Sequence, residues 1–161
     1  MQAAECRSTL TALIEREQHT LAALNAILDA EFQALQTQDT AALEQAAVAK
    51  AERMQDIEGM ERRLAELLGH AGYGHDRDGI EACIAWCDST GVLTGRWQTL
   101  LESLQQCQER NRHNGAAIET HRRHTRSALA VLRGQSPAPS TYAASGHTDT
   151  GDTGTRPLAK A

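Results

Sequence analysis

The chain has 161 residues, a net charge of −5 and a hydrophobic content of 40%, of which aromatic residues supply only 3 percentage points. That length fits one ordinary domain. One Phe, two Tyr and two Trp are too few for a sandwich or barrel, whose strands draw on aromatic and β-branched side chains. The long runs of Ala, Leu, Glu, Gln and Arg are helix formers, and all three prolines lie at or beyond Pro137. The expected class is all-α. No apolar run approaches the roughly 20 residues of a membrane span. The start, Met1 to Arg7, lacks a basic-then-apolar layout, so no secretory signal is expected. Cys6, Cys83, Cys87 and Cys107 sit inside helical patterns rather than in a small loop-rich chain, which fits a reducing cytoplasm.

The first pattern spans about residues 4–37. Leu10, Ile14, Leu21, Leu24, Leu28 and Leu35 recur at multiples near 3.5, with Leu13, Ile27 and Phe32 beside the seam. Glu17 and Glu31 take seam positions and weaken it there. Thr37-Gln38-Asp39-Thr40 is a short break rich in capping residues. A second helix follows to about Leu68, with a stripe of Leu43, Ala47, Lys50, Met54, Ile57, Met60 or Glu61, Leu64 and Leu67/Leu68. So short a connection makes the pair an antiparallel hairpin.

Gly69 to Gly79 holds four glycines and is expected to be a loop. Ile80, Cys83, Ile84 and Cys87 then give one apolar face to a short helix, ended by Asp88-Ser89-Thr90-Gly91. The last pattern is the clearest. Leu93, Trp97, Leu100, Leu104, Cys107, Asn111, Asn114, Ile118, His121, Thr125, Ala128 and Leu132 step by 4 and 3 without a fault, as in a heptad seam. Gly134 is a natural stop. The composition then turns to Ser, Thr, Gly, Ala and Pro, too polar to offset ordering entropy. The expected architecture is an elongated antiparallel bundle of three long helices with one short helical insertion (residues 1–134), followed by a flexible, disordered C-terminal tail (residues 135–161).

No phosphate loop, dinucleotide fingerprint, zincin motif or nucleophile elbow is present in the sequence, so a catalytic role is not expected and no cofactor is implied. Cys83 and Cys87, with His70 and His75 before them, match no zinc spacing and share their face with Ile80 and Ile84. They read as core thiols rather than a metal site. His121 and His124 read as a polar seam residue and its neighbour. Asn111 and Asn114 fall on consecutive seam positions, and with Gly115 they open a small polar patch. Buried Asn fixes register; the patch is also a place where the bundle could loosen.

Charge is unevenly spread. Residues 1–109 carry 8 Lys/Arg against 18 Asp/Glu, while residues 110–133 carry 6 Arg against Glu119 alone. An acidic body repels phosphate, and no aromatics interleave the basic stretch, so nucleic acid is not the expected partner. The expected role of the arginines is to face the acidic hairpin. A coiled-coil scaffold without a client and, less favoured, a nucleic-acid-binding bundle are the rival readings.

The C-terminal third resembles a known family. Asn111-Arg112-His113-Asn114-Gly115-Ala116-Ala117-Ile118-Glu119, then Ala128-Leu129-Ala130-Val131-Leu132-Arg133-Gly134, then Thr141-Tyr142-Ala143-Ala144-Ser145-Gly146, are similar to the FlgN family of bacterial flagellar type III export chaperones. Leu28-Asp29-Ala30-Glu31, Asp39, Ala42-Leu43-Glu44 and Lys50 agree more loosely with that family's acidic hairpin. Ala143 departs from the glycine that many members have after the tyrosine, and residues 147–161 match nothing familiar. The resemblance implies a cytoplasmic protein that caps terminal segments of hook-associated (hook–filament junction) proteins, prevents their premature assembly and delivers them to the export gate. It also implies that Tyr142 docks on the gate's cytoplasmic domain. An apolar groove followed by a tail suits such a client. Ile118, Leu129 and Leu132, with Val131 beside them, are the expected anchors.

Overall fold

The computed structural model describes residues 2–134. They divide into two compact units, one ending at Thr120 and one beginning at His121, each described by itself. The expected tail, 135–161, lies outside the described residues. All regular structure described is helical: α1 (Ala3–Thr37), α2 (Thr40–Ala71), α3 (Arg77–Cys87) and α4 (Val92–Leu132). The all-α expectation therefore holds, with three long helices and one short one.

The α1–α2 connection is two residues long because each side of it is capped. Gln38 adopts the left-handed conformation (φ 57°), and its N–H and that of Asp39 donate to the Leu35 and Ala34 carbonyls. This closes α1 in the manner usual for glycine. Asp39 in turn caps α2, its carboxylate accepting from the Ala42 N–H at 3.0 Å.

Within the first unit α2 runs antiparallel to α1, since residues near the end of α2 flank the start of α1 and Lys50, early in α2, reaches Glu31, late in α1. The first three-quarters of α4 runs parallel to α1. Cys107 Sγ lies 3.5 Å from the Leu21 carbonyl, and Asn114 Nδ2 donates to the Leu28 carbonyl at 2.8 Å. Those contacts sit one heptad apart on both helices. Arg96–Glu15 and Arg110–Asp29 form exposed ion pairs two heptads apart along the same interface. Such pairs contribute at most about 1 kcal/mol each.

The core follows the α1 seam as read: Cys6, Leu10, Ile14, Leu21, Leu24, Leu28 and Leu35 are buried. Each fully buried aliphatic side chain contributes about 1.5–3 kcal/mol. Glu17 is half-buried; burial, and secondarily the nearby Glu61 carboxylate, push its carboxyl above the usual range. On α2 the expected stripe needs correction. Ala46 is buried and Ala47 exposed, and Met54 is also exposed. Ala46, Arg53, Met60 and Leu67, buried or half-buried, recur at seven-residue intervals beside Leu43, Lys50, Ile57 and Leu64, so the heptad holds on α2 with Ala46 and Arg53 in the places expected for Ala47 and Met54.

The glycine-rich segment is also narrower than expected. α2 continues to Ala71 and ends on Gly72 (φ 83°), while α3 already begins at Arg77. The reason is a second cap: Asp76 accepts from the Gly79 N–H at 2.9 Å, drawing Gly79 into the first turn of α3. A Cβ on Gly79 would lie 2.3 Å from the backbone oxygen of Gly74. The glycine is thus needed for close approach of loop to helix, not to break the helix. Gly59, in mid-α2, has open space around it. Helix propensity alone makes Gly→Ala stabilising at both sites by about 0.5–1 kcal/mol. Thermal melts should show that sign for Gly59→Ala and the reverse for Gly79→Ala, with a loss of about 1–3 kcal/mol from overpacking. Equal stabilisation at both sites would contradict the close approach.

Candidate functional site

Across α1, α2 and α4 in the first unit, the apolar core gives way to a buried polar cluster. Glu31 is 2% exposed. One carboxylate oxygen accepts from Lys50 Nζ at 2.6 Å, the other from Asn114 Nδ2 at 2.8 Å. Asn114, itself buried, also donates to the Leu28 carbonyl. Lys50 Nζ reaches Asn111 Oδ1 at 3.4 Å. A carboxylate this deep needs both partners, because unpaired burial of a charge costs several kcal/mol.

Of the sequence-predicted polar residues, Asn114 is in the core and Asn111 is exposed at its edge. The two columns of the α4 seam differ. Leu93, Leu100, Cys107 and Asn114, seven residues apart, are all buried. Trp97, Leu104, Asn111 and Ile118 run from buried through half-buried to exposed and back to half-buried. The solvated Lys50 ammonium, about a quarter exposed, keeps that edge open at Asn111. Gly115 is exposed, with nothing near where a side chain would go.

The four expected apolar anchors have different settings. Ile118, in the first unit, is half-buried. In the second unit, Leu129, Val131 and Leu132 are 45%, 61% and 82% exposed. Leu129 and Leu132, three apart in the last turns of α4, share a helix face, and the Gly134 N–H closes the helix on the Val131 carbonyl at 3.0 Å. Tyr142 lies outside the described residues.

Cys83 and Cys87 are in the core, where Cys6 joins them; His70, His75, His121 and His124 are exposed. No group of residues able to hold a metal ion occurs among the described residues. From the basic stretch, Arg110 pairs with Asp29 on α1, whereas Arg112 pairs with Glu109 on its own helix. The sequence reading missed the Glu31–Lys50–Asn114 cluster. Its signal was present: Glu31, Lys50 and Asn114 all fall on the stripes of their helices, and an acid, a base and an amide can satisfy one another when those stripes meet.

The cluster makes a stability prediction for denaturant unfolding. Lys50→Met should cost about 3 kcal/mol and Asn114→Leu about 2 kcal/mol, since each leaves Glu31 buried and short of a partner. The triple variant Glu31→Leu/Lys50→Met/Asn114→Leu should recover most of that loss. A triple variant as weak as the two single losses combined would mean that Glu31 is not the source of the cost.

No helix among the described residues is long and apolar enough to cross a membrane. Comparison with curated proteins and with solved structures returned no match. The family model for FlgN protein matches residues 2–150, nearly the whole chain. With its helical hairpin, short inserted helix and long heptad-patterned last helix, the chain belongs to the FlgN family of flagellar chaperones.

Proposed function

We propose that this protein is a cytoplasmic flagellar export chaperone. It binds the terminal segments of hook–filament junction proteins, keeps them from assembling early and hands them to the type III export gate. The role is one of binding rather than catalysis. The observation that carries the reading is the end of α4: in a FlgN-family chain, Leu129, Val131 and Leu132 stand exposed where a folded domain gains nothing from displaying them. An amphipathic client segment that covers a leucine side chain gains about 1.5–3 kcal/mol. Helix-in-groove capture of this kind needs only a few such anchors.

The direct test is affinity capture from flagellated cells, with recovery of junction proteins as the expected result. Exposure of the anchors sharpens it. Leu129→Ala and Leu132→Ala should each weaken client binding about tenfold, as expected for about 1.5 kcal/mol of lost burial. Their melting curves should stay within about 0.5 kcal/mol of the parent, as for surface positions generally. Unchanged binding would remove these residues from the client site.

Delivery is assigned to Tyr142, on the family resemblance. A tyrosine ring offers a large contact area at low side-chain entropy, which suits a short docking motif. Tyr142→Ala should leave melting and client binding intact while lowering both affinity for the gate's cytoplasmic domain and swimming motility. Normal gate binding with normal motility would end the docking assignment.

A further inference from the structure

All four cysteines are free and buried, and three of them meet at the base of the first unit. Cys6, in the first turn of α1, places its Sγ 3.5 Å from the Sγ of Cys83 on α3. Cys87, one turn further along α3, shares that core, but its thiol donates to the Ile84 carbonyl at 3.7 Å. Cys6 and Cys83 are both 0% exposed. Cys107 differs: its thiol faces the Leu21 carbonyl between α4 and α1. Core cysteines usually serve as small hydrophobes. Two sulfurs in direct contact, from segments 77 residues apart in sequence, are a different arrangement.

We propose that Cys6 and Cys83 form a redox-responsive pair, joined by an intramolecular disulfide when the protein meets a two-electron oxidant of the peroxide class. The sulfurs need to approach by about 1.5 Å to reach the bonded distance of roughly 2.05 Å. In the first step one cysteine, as thiolate, attacks the peroxide O–O bond and becomes a sulfenic acid, and one water leaves after proton transfer. In the second, the other thiol attacks the sulfenic sulfur; the S–S bond forms, the S–O bond breaks and a second water leaves. Two thiols are oxidised and one peroxide is reduced, giving one disulfide and two waters.

The setting determines the rate. Burial, reinforced by the Cys83 thiol, pushes Cys6 up to about 11, so little thiolate exists at neutral pH. Access comes through the end of α1, where Gln2 provides no side-chain cap; the first turn of an uncapped helix frays most readily. The pair therefore responds to sustained oxidation rather than to a brief pulse. Once formed, the bond ties that fraying turn to α3. Reversal needs an external dithiol, which reaches the bond by the same fraying of the first turn and carries away the two electrons' worth of oxidation as its own disulfide. This inference stands apart from the chaperone reading and does not depend on it.

The test is to expose the folded full-length protein to hydrogen peroxide, block the remaining thiols by alkylation in denaturant, and map linked peptides by mass spectrometry. The expected product links Cys6 to Cys83, leaves Cys107 reduced, and is reversed by dithiothreitol. Its melting midpoint should exceed that of the reduced form by about 5–15 °C, the usual effect of closing a long loop. Oxidation in urea should give mixed pairings instead. Cys107→Ala should leave the product unchanged, and Cys83→Ala should abolish it. The proposal is overturned if the folded protein keeps all four thiols under oxidation that cross-links the urea-unfolded chain, or if the dominant link joins any other pair.

Discussion

Two long parallel helices with leucine-rich stripes have a degeneracy: a shift of one heptad again sets apolar against apolar. Glu31 and Asn114 remove it between α1 and α4. In the observed register Asn114 meets both the Leu28 carbonyl and the Glu31 carboxylate. Sliding α4 by seven residues would bring Cys107 or His121 to that place and move Asn114 against aliphatic neighbours. One shift leaves the buried carboxylate facing only a weak thiol donor, and the other must bury an imidazole where the smaller amide fits. A polar seam residue that lowers stability yet fixes register is a familiar device in coiled coils. Here it is extended to a third helix, because Lys50 brings the balancing charge from α2.

That third contribution explains the character of the nearby helices. Where Lys50 enters, the buried residues of α1 and α2 include Ala34 and Ala46, and small side chains let the helices approach closely enough for the ammonium to reach Glu31. Toward the other end, Ile57, Met60, Leu67 and Leu68 fill the space with larger groups, and the α3 face of Ile80, Cys83, Ile84 and Cys87 adds to the same core. The unit is therefore held at one end by apolar packing and near the hairpin turn by paired charge. These respond differently to change: hydrophobic burial weakens on cooling, whereas a desolvated ion pair depends on both partners being present.

Most of the fold was legible because it is written in periodicity. The α1 seam, the two-residue α1–α2 connection and the uninterrupted α4 pattern follow from helical spacing and caps, and the structure reproduces them within a few residues. The misreadings have physical causes. On α2, steps of 4 and 3 from Leu43 select Ala47 and Met54, whereas the same heptad taken as 3 and 4 selects Ala46 and Arg53; the charge of Arg53 hides that second choice in the sequence. Counting glycines overextended the loop, because the pattern cannot distinguish a glycine that breaks a helix from Gly79, which admits a neighbouring carbonyl. Asn111 and Asn114 look equivalent in sequence; what separates them is Lys50, which the chain places 61 residues from Asn111. Glu31 looked like a flaw in a seam for the same reason. Its two partners lie on other helices, and pairing across helices leaves no local trace.

The two parts of α4 differ in burial. Along α4 the buried seam column ends at Asn114, Ile118 is half-buried, and from His121 to Gly134 every residue except Ala130 is exposed. Seam positions His121 and Thr125 contribute little apolar area, so the helix there is sustained by the propensities of its Ala, Arg and Leu residues. Their exposure leaves Leu129 and Leu132 for the partner proposed above. Four arginines among residues 121–133 surround those leucines with positive charge. Like charge on two copies opposes their pairing, whereas a client with acidic residues beside its apolar face meets attraction on both counts. An exposed apolar helix end is ordinarily an aggregation hazard. On the client reading proposed above, the basic segment around it would favour a complementary client over a second copy by charge, before any packing contact is made.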